Sequence, residues 1–259
     1  MPLDAPITGP LSDADVAQFA TRGWIACRGL FTPAEAAEIA RWTDELVALP
    51  EEPGRHMVYY EDSLTEPGQR VMQRIEDFCP YHPQFDTLVR AGTLLSAIEQ
   101  LLGERALLFK EKINFKRPGG AGFEAHQDQQ AGWSTYAPLF ITALVGLDEA
   151  TLDNGCLEMT DTPRETALIG TEWQPLTAEQ MAGFSLTPLP TAPGDVLFFD
   201  SYAPHASKPN FTAHQRRILY LTYNATQHGD QRRRYYDDKR ASFPPDIERA
   251  PGQRYTFRV

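Results

Sequence analysis

The sequence lacks the features of a nucleic-acid-binding or membrane-spanning protein. Its 24 lysines and arginines are outnumbered by 35 aspartates and glutamates, which gives a formal net charge of −11 and leaves no evident basic face for nucleic acid. No apolar run is long enough to cross a bilayer. The N-terminus, from Met1 to Asp4, has neither a basic nor an apolar region, so we expect no signal peptide.

Cysteine is also scarce. The three cysteines, Cys27, Cys79 and Cys156, form no CxxC pair, which argues against a disulfide framework or a zinc knuckle. We therefore expect free thiols in a reducing cytosol and a cytoplasmic protein. The hydrophobic fraction is 42%, and no Gly/Ser linker divides the chain, so one domain spanning residues 1–259 is expected. The sequence leaves the oligomeric state open.

Helical signals are concentrated in the first hundred residues. A capping box at Ser12 and Asp15 predicts a short helix that ends at Gly23. Thr32, followed by a proline and then a glutamate, predicts the start of a second helix. Apolar residues at helical intervals predict one further helical stretch over 85–102.

Strand signals dominate the rest of the chain, while the pattern over 56–81 is irregular. Apolar or alternating segments predict strands at 139–147, 195–199 and 216–224. The segment 107–116 also alternates, with two distinct faces: Leu107, Phe109, Ile113 and Phe115 on one, and Lys110, Lys112, Asn114 and Lys116 on the other. Helices followed by strands indicate an α+β fold in which helices pack against a barrel.

Two histidines and an aspartate carry the strongest chemical signal. His126 and Asp128 are two positions apart, which would place both on the same side of an extended strand, and His205 follows far downstream. Two imidazoles and one carboxylate are the ligand set that holds non-haem Fe(II) on one face and leaves the opposite positions open. A zinc hydrolase uses similar ligands and remains an alternative.

The chain resembles the phytanoyl-CoA hydroxylase family of Fe(II)/2-oxoglutarate dioxygenases. The matching segments are Gly23-Trp24-Ile25, His126-Gln127-Asp128, Asn154-Gly155-Cys156-Leu157-Glu158, Gly194-Asp195-Val196-Leu197-Phe198-Phe199 and Arg216-Arg217-Ile218-Leu219. The resemblance implies a double-stranded β-helix (jelly-roll) core with the N-terminal helices packed on one sheet. It also implies Fe(II) as the metal, 2-oxoglutarate as a cosubstrate, O2 as the oxidant, and hydroxylation of a small molecule.

Two adjacent arginines compete as the anchor for the distal carboxylate of 2-oxoglutarate. A guanidinium binds a carboxylate through two parallel hydrogen bonds, which lysine cannot reproduce. Arg217 alternates with apolar residues, whereas Arg216 alternates with polar residues suited to a barrel interior. We therefore predict Arg216 as the anchor, with Arg217 as the alternative. The resemblance adds Ser207 and Thr142 as weaker candidates, and Asn114 is a further cosubstrate candidate.

Within the family, the chain looks most like the 2-aminoethylphosphonate dioxygenase branch. The segments that carry this likeness are Glu111-Lys112-Ile113-Asn114, Ala131-Gly132-Trp133 and Pro244-Pro245-Asp246. The likeness implies hydroxylation at the carbon beside phosphorus. Lys110 and Lys112 would then bind an anionic headgroup. Trp133, through cation–π attraction, or Glu76 and Asp77, through charge, would bind the amine.

Several alternatives remain at this point. The lysine-bearing segment 110–116 could instead be an exposed edge strand with solvated side chains. The chain could hydroxylate an amino acid or a betaine, or it could be a non-catalytic ligand-binding barrel. A halogenase is disfavoured because Asp128 occupies the position that those enzymes leave for chloride. A small-molecule substrate is the partner that we expect, with no nucleic acid and no membrane.

Overall fold

The computed structural model describes residues 7–253 and 255. Within these residues the helices are α1 (Asp13–Arg22), α2 (Pro33–Ala48), α3 (Pro83–Arg90), α4 (Gly92–Leu102) and α5 (Arg232–Ser242). The strands are β1 (Trp24–Cys27), β2 (Met57–Asp62), β3 (Arg70–Glu76), β4 (Ala106–Lys116), β5 (Phe123–His126), β6 (Ile141–Gly146), β7 (Leu157–Thr160), β8 (Leu186–Leu189), β9 (Val196–Asp200), β10 (His205–Ser207) and β11 (Arg216–Ala225).

The strands form two antiparallel sheets. The larger sheet has the order β1-β9-β6-β11-β4-β3-β2, and the smaller has the order β5-β10-β7-β8. Strands that are neighbours in space are often distant in sequence, such as β1 beside β9 and β4 beside β11. This arrangement confirms the expected jelly-roll core. None of the helices in the described residues is long and apolar enough to cross a membrane.

Strand β11 shows how the core divides into two layers. Leu219, Leu221 and Tyr223 belong to the cluster that also contains the buried residues of α1 to α4, so this face of the larger sheet lies beneath the helices. Ile218 and Tyr220 point the other way and pack with residues of the smaller sheet. The side-chain period of two therefore assigns alternate positions of one strand to the helical layer and to the barrel interior.

The predicted helix starts are confirmed, but two other expectations are wrong. Capping boxes begin α1 at Ser12 and α2 at Thr32, as predicted. The helical stretch over 85–102 is interrupted, because Ala91 is extended and Gly92 has φ of +83°, so α3 and α4 are separate helices. The irregular segment 56–81 contains the β2–β3 hairpin, which extends the larger sheet.

The alternation expected in β4 fails at Phe109. The register with β11 shifts here, because Leu108 is opposite Tyr223 while Lys110 is opposite Thr222. Phe109 is therefore the extra residue of a β-bulge. It joins an aromatic cluster beside α5, and Leu108 occupies the position under the helices. The bulge leaves Lys110 on the inner face of the sheet.

A buried ion pair attaches α5 to the larger sheet. Glu111 is fully buried on the outer face of β4, and Arg232, at the start of α5, donates from Nε to Oε2 of Glu111 at 2.9 Å. The same guanidinium donates to Asp77 Oδ1 at 2.7 Å. The backbone amide of Cys79 donates to Glu111 Oε1 at 3.1 Å. The position of α5 therefore depends on a carboxylate that lies between Lys110 and Lys112 in sequence.

Loss of this ion pair should destabilise the protein. Arg232→Met leaves the Glu111 carboxylate buried without a guanidinium, so we expect the free energy of unfolding to fall by about 3–5 kcal/mol. Arg233→Met is the matched control, because the Arg233 side chain is 90% exposed, and it should change stability by less than about 0.5 kcal/mol. Urea denaturation measures both. Equal stability of the two variants would show that the pair does not hold α5.

Candidate active site

Antiparallel pairing of β5 with β10 brings two of the candidate ligands together. His126 and His205 are direct cross-strand partners, and their ring centroids are 4.3 Å apart. The spacing of Asp128 from His126 predicted that both lie on one extended strand, but Asp128 lies outside the strand. Strand β5 ends at His126, and Asp128 begins a short 3₁₀ helix, Asp128–Ala131. Extended backbone at Gln127 still returns the carboxylate to the side of the imidazoles.

The two imidazoles are oriented by backbone carbonyls. Nδ1 of His126 lies 2.7 Å from the carbonyl oxygen of Glu124, and Nδ1 of His205 lies 2.9 Å from that of Ala203. A carbonyl oxygen only accepts, so each Nδ1 carries the proton and donates it. Each Nε2 then keeps a free lone pair, and each lies 3.9 Å from Oδ1 of Asp128. This is how metal-binding histidines are usually held.

The protonation states also suit a metal ion. Burial and the neighbouring His205 lower the pKa of His126 to about 3, so its imidazole is neutral. Burial raises the pKa of the Asp128 carboxyl, but His205 and Lys112 lower it by more, so the net shift is downward. The three candidate ligand atoms lie within 4.8 Å of one another, and no fourth His, Cys, Asp or Glu among the described residues belongs to this group. The far side of the site is left to other ligands.

The triad faces a cavity of about 660 Å³. His126 and Asp128 line it together with three lysines, Lys110, Lys112 and Lys239. Much of the remaining wall is aromatic, from Phe123, Trp133, Tyr136, Trp173, Tyr235 and Phe243. The cavity therefore combines a candidate metal site with a positively charged wall and several aromatic faces.

Lys110 and Lys112 lie inside the barrel, so the edge-strand alternative is wrong. Strand β4 is paired on both sides, with β11 and with β3. The Lys110 ammonium lies 5.2 Å from the ring centroid of Trp133, and the Lys112 ammonium lies 4.7 Å from that of Tyr220. Within residues 7–253 and 255, neither forms a salt bridge with a carboxylate. Burial, with Lys110 nearby, lowers the pKa of Lys112 to about 8.

The two adjacent arginines have different environments. Arg217 is held by Asp148, which receives hydrogen bonds from its Nε and Nη2, and by Asp44 of α2. Arg216 lies on the inner face and is 1% exposed. In the described chain, its Nε and Nη1 have no hydrogen-bond partner. Burial lowers the pKa of Arg216, and the phenol of Tyr220 lies beside its guanidinium. A buried guanidinium with unused donors is suited to binding the carboxylate of a ligand.

The weaker cosubstrate candidates, Ser207, Thr142 and Asn114, differ in whether their polar atoms already have protein partners. Ser207 Oγ accepts a hydrogen bond from Lys116 Nζ at 2.8 Å. The Thr142 hydroxyl lies 2.9 Å from that of Thr222. Asn114 is buried, and its Oδ1 has no partner among the described residues. Ser207 and Thr142 therefore have protein partners, whereas the Asn114 carbonyl oxygen has an unused acceptor site.

The amine-binding predictions fit less well. Lys110 lies over the ring of Trp133, so that face already holds a cation. Glu76 is fully buried, and both of its oxygens accept hydrogen bonds from Lys239 at 2.6–2.7 Å. Asp77 pairs with Arg232 and does not line the cavity. The structure therefore does not support Glu76 or Asp77 as amine-binding groups, because nearby side chains already satisfy their charges.

Sequence reasoning missed the contribution of α5. Tyr235, Asp238 and Lys239 all line the cavity. Their spacing of three and four positions puts them on one face of a helix. That periodicity is present in the sequence, but three consecutive arginines, 232–234, directly precede it, and a short basic run of this kind is typical of a solvated surface. The sequence also gave no indication that a helix so late in the chain packs over the cavity.

Comparison with known proteins gives a consistent result. A family model described as phytanoyl-CoA dioxygenase (PhyH) matches residues 19–218. The chain is 38% identical over 240 residues to a 2-aminoethylphosphonate dioxygenase from the uncultured bacterium HF130_AEPn_1. The aligned region covers 92% of this chain and 91% of that protein. It is also 38% identical over 234 residues to a methylphosphonate hydroxylase from Gimesia maris, with coverage of 90% and 88%.

A solved structure shares the fold. EctD from S. alaskensis, crystallised with 2-oxoglutarate and 5-hydroxyectoine, superposes with a TM-score of 0.68. The match covers 88% of this chain and 79% of EctD at 23% sequence identity. At this identity the likeness supports the jelly-roll architecture alone.

The triad should bind one divalent metal ion per chain. Calorimetry with Fe(II), under exclusion of oxygen, measures the stoichiometry and affinity. Asp128→Ala removes one of three ligands, so we expect it to weaken binding by more than the roughly 10- to 100-fold that loss of an outer-shell partner costs. Glu124→Ala removes an exposed carboxylate only two residues from His126 and should leave the affinity unchanged. Equal affinities for the two variants would contradict this assignment.

Proposed function

The chain belongs to the phytanoyl-CoA dioxygenase family, and from this premise we propose that it is an Fe(II)- and 2-oxoglutarate-dependent hydroxylase of a small zwitterion with a phosphonate headgroup. The observation that carries the proposal is one cavity that contains His126, Asp128 and two lysines without carboxylate partners among the described residues. The names of the two similar proteins, which both refer to phosphonates, support the choice of headgroup.

His126, Asp128 and His205 would hold the iron, because two neutral imidazoles and a carboxylate suit Fe(II) and leave positions for further ligands. When bound, iron with 2-oxoglutarate and O2 supplies an oxidation that converts a substrate C–H bond to C–OH and releases succinate and CO2. The work of the protein is then to hold both organic molecules in register and to keep bulk water away. The aromatic walls of the cavity suit the second task.

Arg216 would bind the distal carboxylate of 2-oxoglutarate. Its two unused guanidinium donors lie in a buried site, where charge-assisted hydrogen bonds are strong. A buried arginine without a counter-charge is costly, and an incoming carboxylate offsets that cost. Arg217 is unsuited to this role because Asp148 and Asp44 already use its donors. We keep Ser207, Thr142 and Asn114 as secondary candidates.

Lys110 and Lys112 would bind the anionic headgroup. Both ammonium groups reach the cavity near Asp128, and neither forms a salt bridge within the described chain. Lys239 adds a third ammonium, but Glu76 neutralises it. The excess positive charge favours a phosphonate over an uncharged or apolar substrate, since an apolar group would leave the lysines unpaired. A headgroup fixed here limits which carbon faces the metal, and orientation of this kind is a large part of catalysis.

A hydroxylase of a different zwitterion, such as an amino acid or a betaine, remains the alternative, because a carboxylate would also suit the lysines.

We also propose a cytoplasmic location, which the three free cysteines support, since thiols persist in reducing compartments.

Arg216→Lys should raise the KM for 2-oxoglutarate by roughly 10- to 100-fold. The substitution keeps the charge but removes the paired donors, and hydrogen bonds to charged groups contribute about 1.5–3 kcal/mol each. Arg217→Lys is the matched control, and its effect should fall on stability instead, because Arg217 joins Asp148 to α2. Initial rates of succinate formation against 2-oxoglutarate concentration separate the two. A large KM effect in Arg217→Lys alone would reverse the assignment.

The substrate is tested by measuring succinate formation in the presence of phosphonates, amino acids, betaines and apolar compounds. We expect 2-aminoethylphosphonate or a close analogue to stimulate turnover. Lys112→Met should weaken that stimulation more than it weakens turnover without substrate, because the lysine contacts the headgroup. Lys208→Met, at a lysine that is 66% exposed, is the control and should behave as wild type. If apolar compounds stimulate turnover and no zwitterion does, the proposal is wrong.

A further inference from the structure

The cavity has a second carboxylate besides Asp128. Among the described residues that line it, Asp238 is the other acidic side chain. Asp238 lies on α5 and is 58% exposed, so it marks the solvent end of the cavity. Lys110 and Lys112 lie deeper, on β4, and are largely covered. The cavity therefore has lysine ammonium groups on β4 near the candidate metal site and a carboxylate on α5 near its opening.

The Asp238 carboxylate is oriented by a phenol. Tyr136 Oη donates to Asp238 Oδ2 at 2.8 Å. Burial and this hydrogen bond raise the pKa of Tyr136, so the phenol keeps its proton at neutral pH. Because that proton goes to Asp238, the Tyr136 oxygen has a lone pair left to accept another hydrogen bond. Oδ1 of Asp238 has no hydrogen-bond partner in the part of the chain that the structure describes. Two acceptors therefore remain available at the opening.

Trp173 also lines the cavity, is 45% exposed, and is held in an unusual backbone conformation. Its φ is +65°, which is rare for a residue with a bulky side chain. Its amide donates to the carbonyl of Gln130 at 2.7 Å, and its ring covers the position that a side chain at Gly132 would fill. Backbone strain of this kind persists where surrounding contacts enforce it, often at ligand sites. We refer to Tyr136, Trp173 and Asp238 together as the rim.

We propose that the rim binds the ammonium group of the substrate, and that Asp238 is the residue that distinguishes an aminoalkylphosphonate from a phosphonate without an amine. The inference rests on the proposed function and extends it to the other end of the substrate. A carboxylate beside aromatic faces suits an ammonium ion, through charge and through cation–π attraction. The deeper ring of Trp133 is unsuitable because Lys110 already covers it.

Among the described residues, Arg234 is the cation that pairs with Asp238. Its Nε lies 4.0 Å from Asp238 Oδ2, and both side chains are more than half exposed. A pair this long and this exposed contributes little, so a substrate ammonium can take its place at low cost. The guanidinium carbon of Arg234 also lies 5.1 Å from the ring centroid of Tyr136, so a substrate ammonium would displace this exposed arginine from that ring as well, whereas the Lys110 that covers Trp133 is buried.

The test compares 2-aminoethylphosphonate with propylphosphonate, in which a methyl group replaces the ammonium at nearly the same size. Asp238→Asn keeps the shape of the side chain and removes its charge. We expect kcat/KM for 2-aminoethylphosphonate to fall by roughly 10-fold, the lower end of the range for a charged hydrogen bond, because the rim is partly exposed. The value for propylphosphonate should stay the same or rise. Asp238→Glu should recover part of the loss.

Asp237→Asn is the matched control. Asp237 is adjacent on the same helix, pairs with Arg233 and does not line the cavity, so the variant loses the same charge without touching the rim. It should treat both substrates as wild type does. Calorimetric binding under exclusion of oxygen gives a second readout and should show the same selective loss of affinity in Asp238→Asn.

Each other result counts against the inference. Equal losses for both phosphonates in Asp238→Asn would indicate a structural role, and no loss for either would place the ammonium elsewhere. An effect of Asp237→Asn as large as that of Asp238→Asn would indicate long-range charge rather than contact. If the wild-type protein turns over neither phosphonate, the proposed function falls, and this inference falls with it.

Discussion

The pairing of β5 with β10 is the constraint on which the candidate site depends. Placing His126 directly across from His205 puts two imidazoles from distant parts of the chain on one face of the smaller sheet. A shift of the strand register by one residue would place one imidazole on the opposite face of the sheet, so the three ligands could no longer bind one metal ion. Pairing of β10 with β7 on its other side holds this register, with His205 opposite Met159. The short 3₁₀ helix after β5 then supplies Asp128.

Charge is organised around this constraint in two layers. On the outer face of the larger sheet, charges are paired, as in Arg217 with Asp148 and Arg232 with Glu111. On the inner face Glu76 pairs with Lys239, but Lys110, Lys112 and Arg216 form no salt bridge with a carboxylate in the described chain. Burial of unpaired cations is costly, and proteins retain such groups mainly where function requires them. The asymmetry between the two faces is what points to anionic ligands.

The sequence predicted features that depend on neighbouring residues and missed those that depend on distant contacts. Capping boxes and side-chain alternation act over a few residues, so the starts of α1 and α2 and the contrast between Arg216 and Arg217 could be read directly. The bulge at Phe109 results from pairing with β11 and leaves no local signal. Likewise, Asp238 reaches the cavity because Arg232 binds Glu111 more than a hundred residues away.

The most direct test of this account is a crystal structure of the protein grown without oxygen in the presence of Fe(II), 2-oxoglutarate and 2-aminoethylphosphonate. We predict that the metal is bound by His126, Asp128 and His205, and that phosphonate oxygens lie within about 4 Å of the ammonium groups of Lys110 and Lys112. The carbon beside phosphorus should face the metal. A phosphonate bound away from both lysines, or a substrate in the reverse orientation, would contradict it.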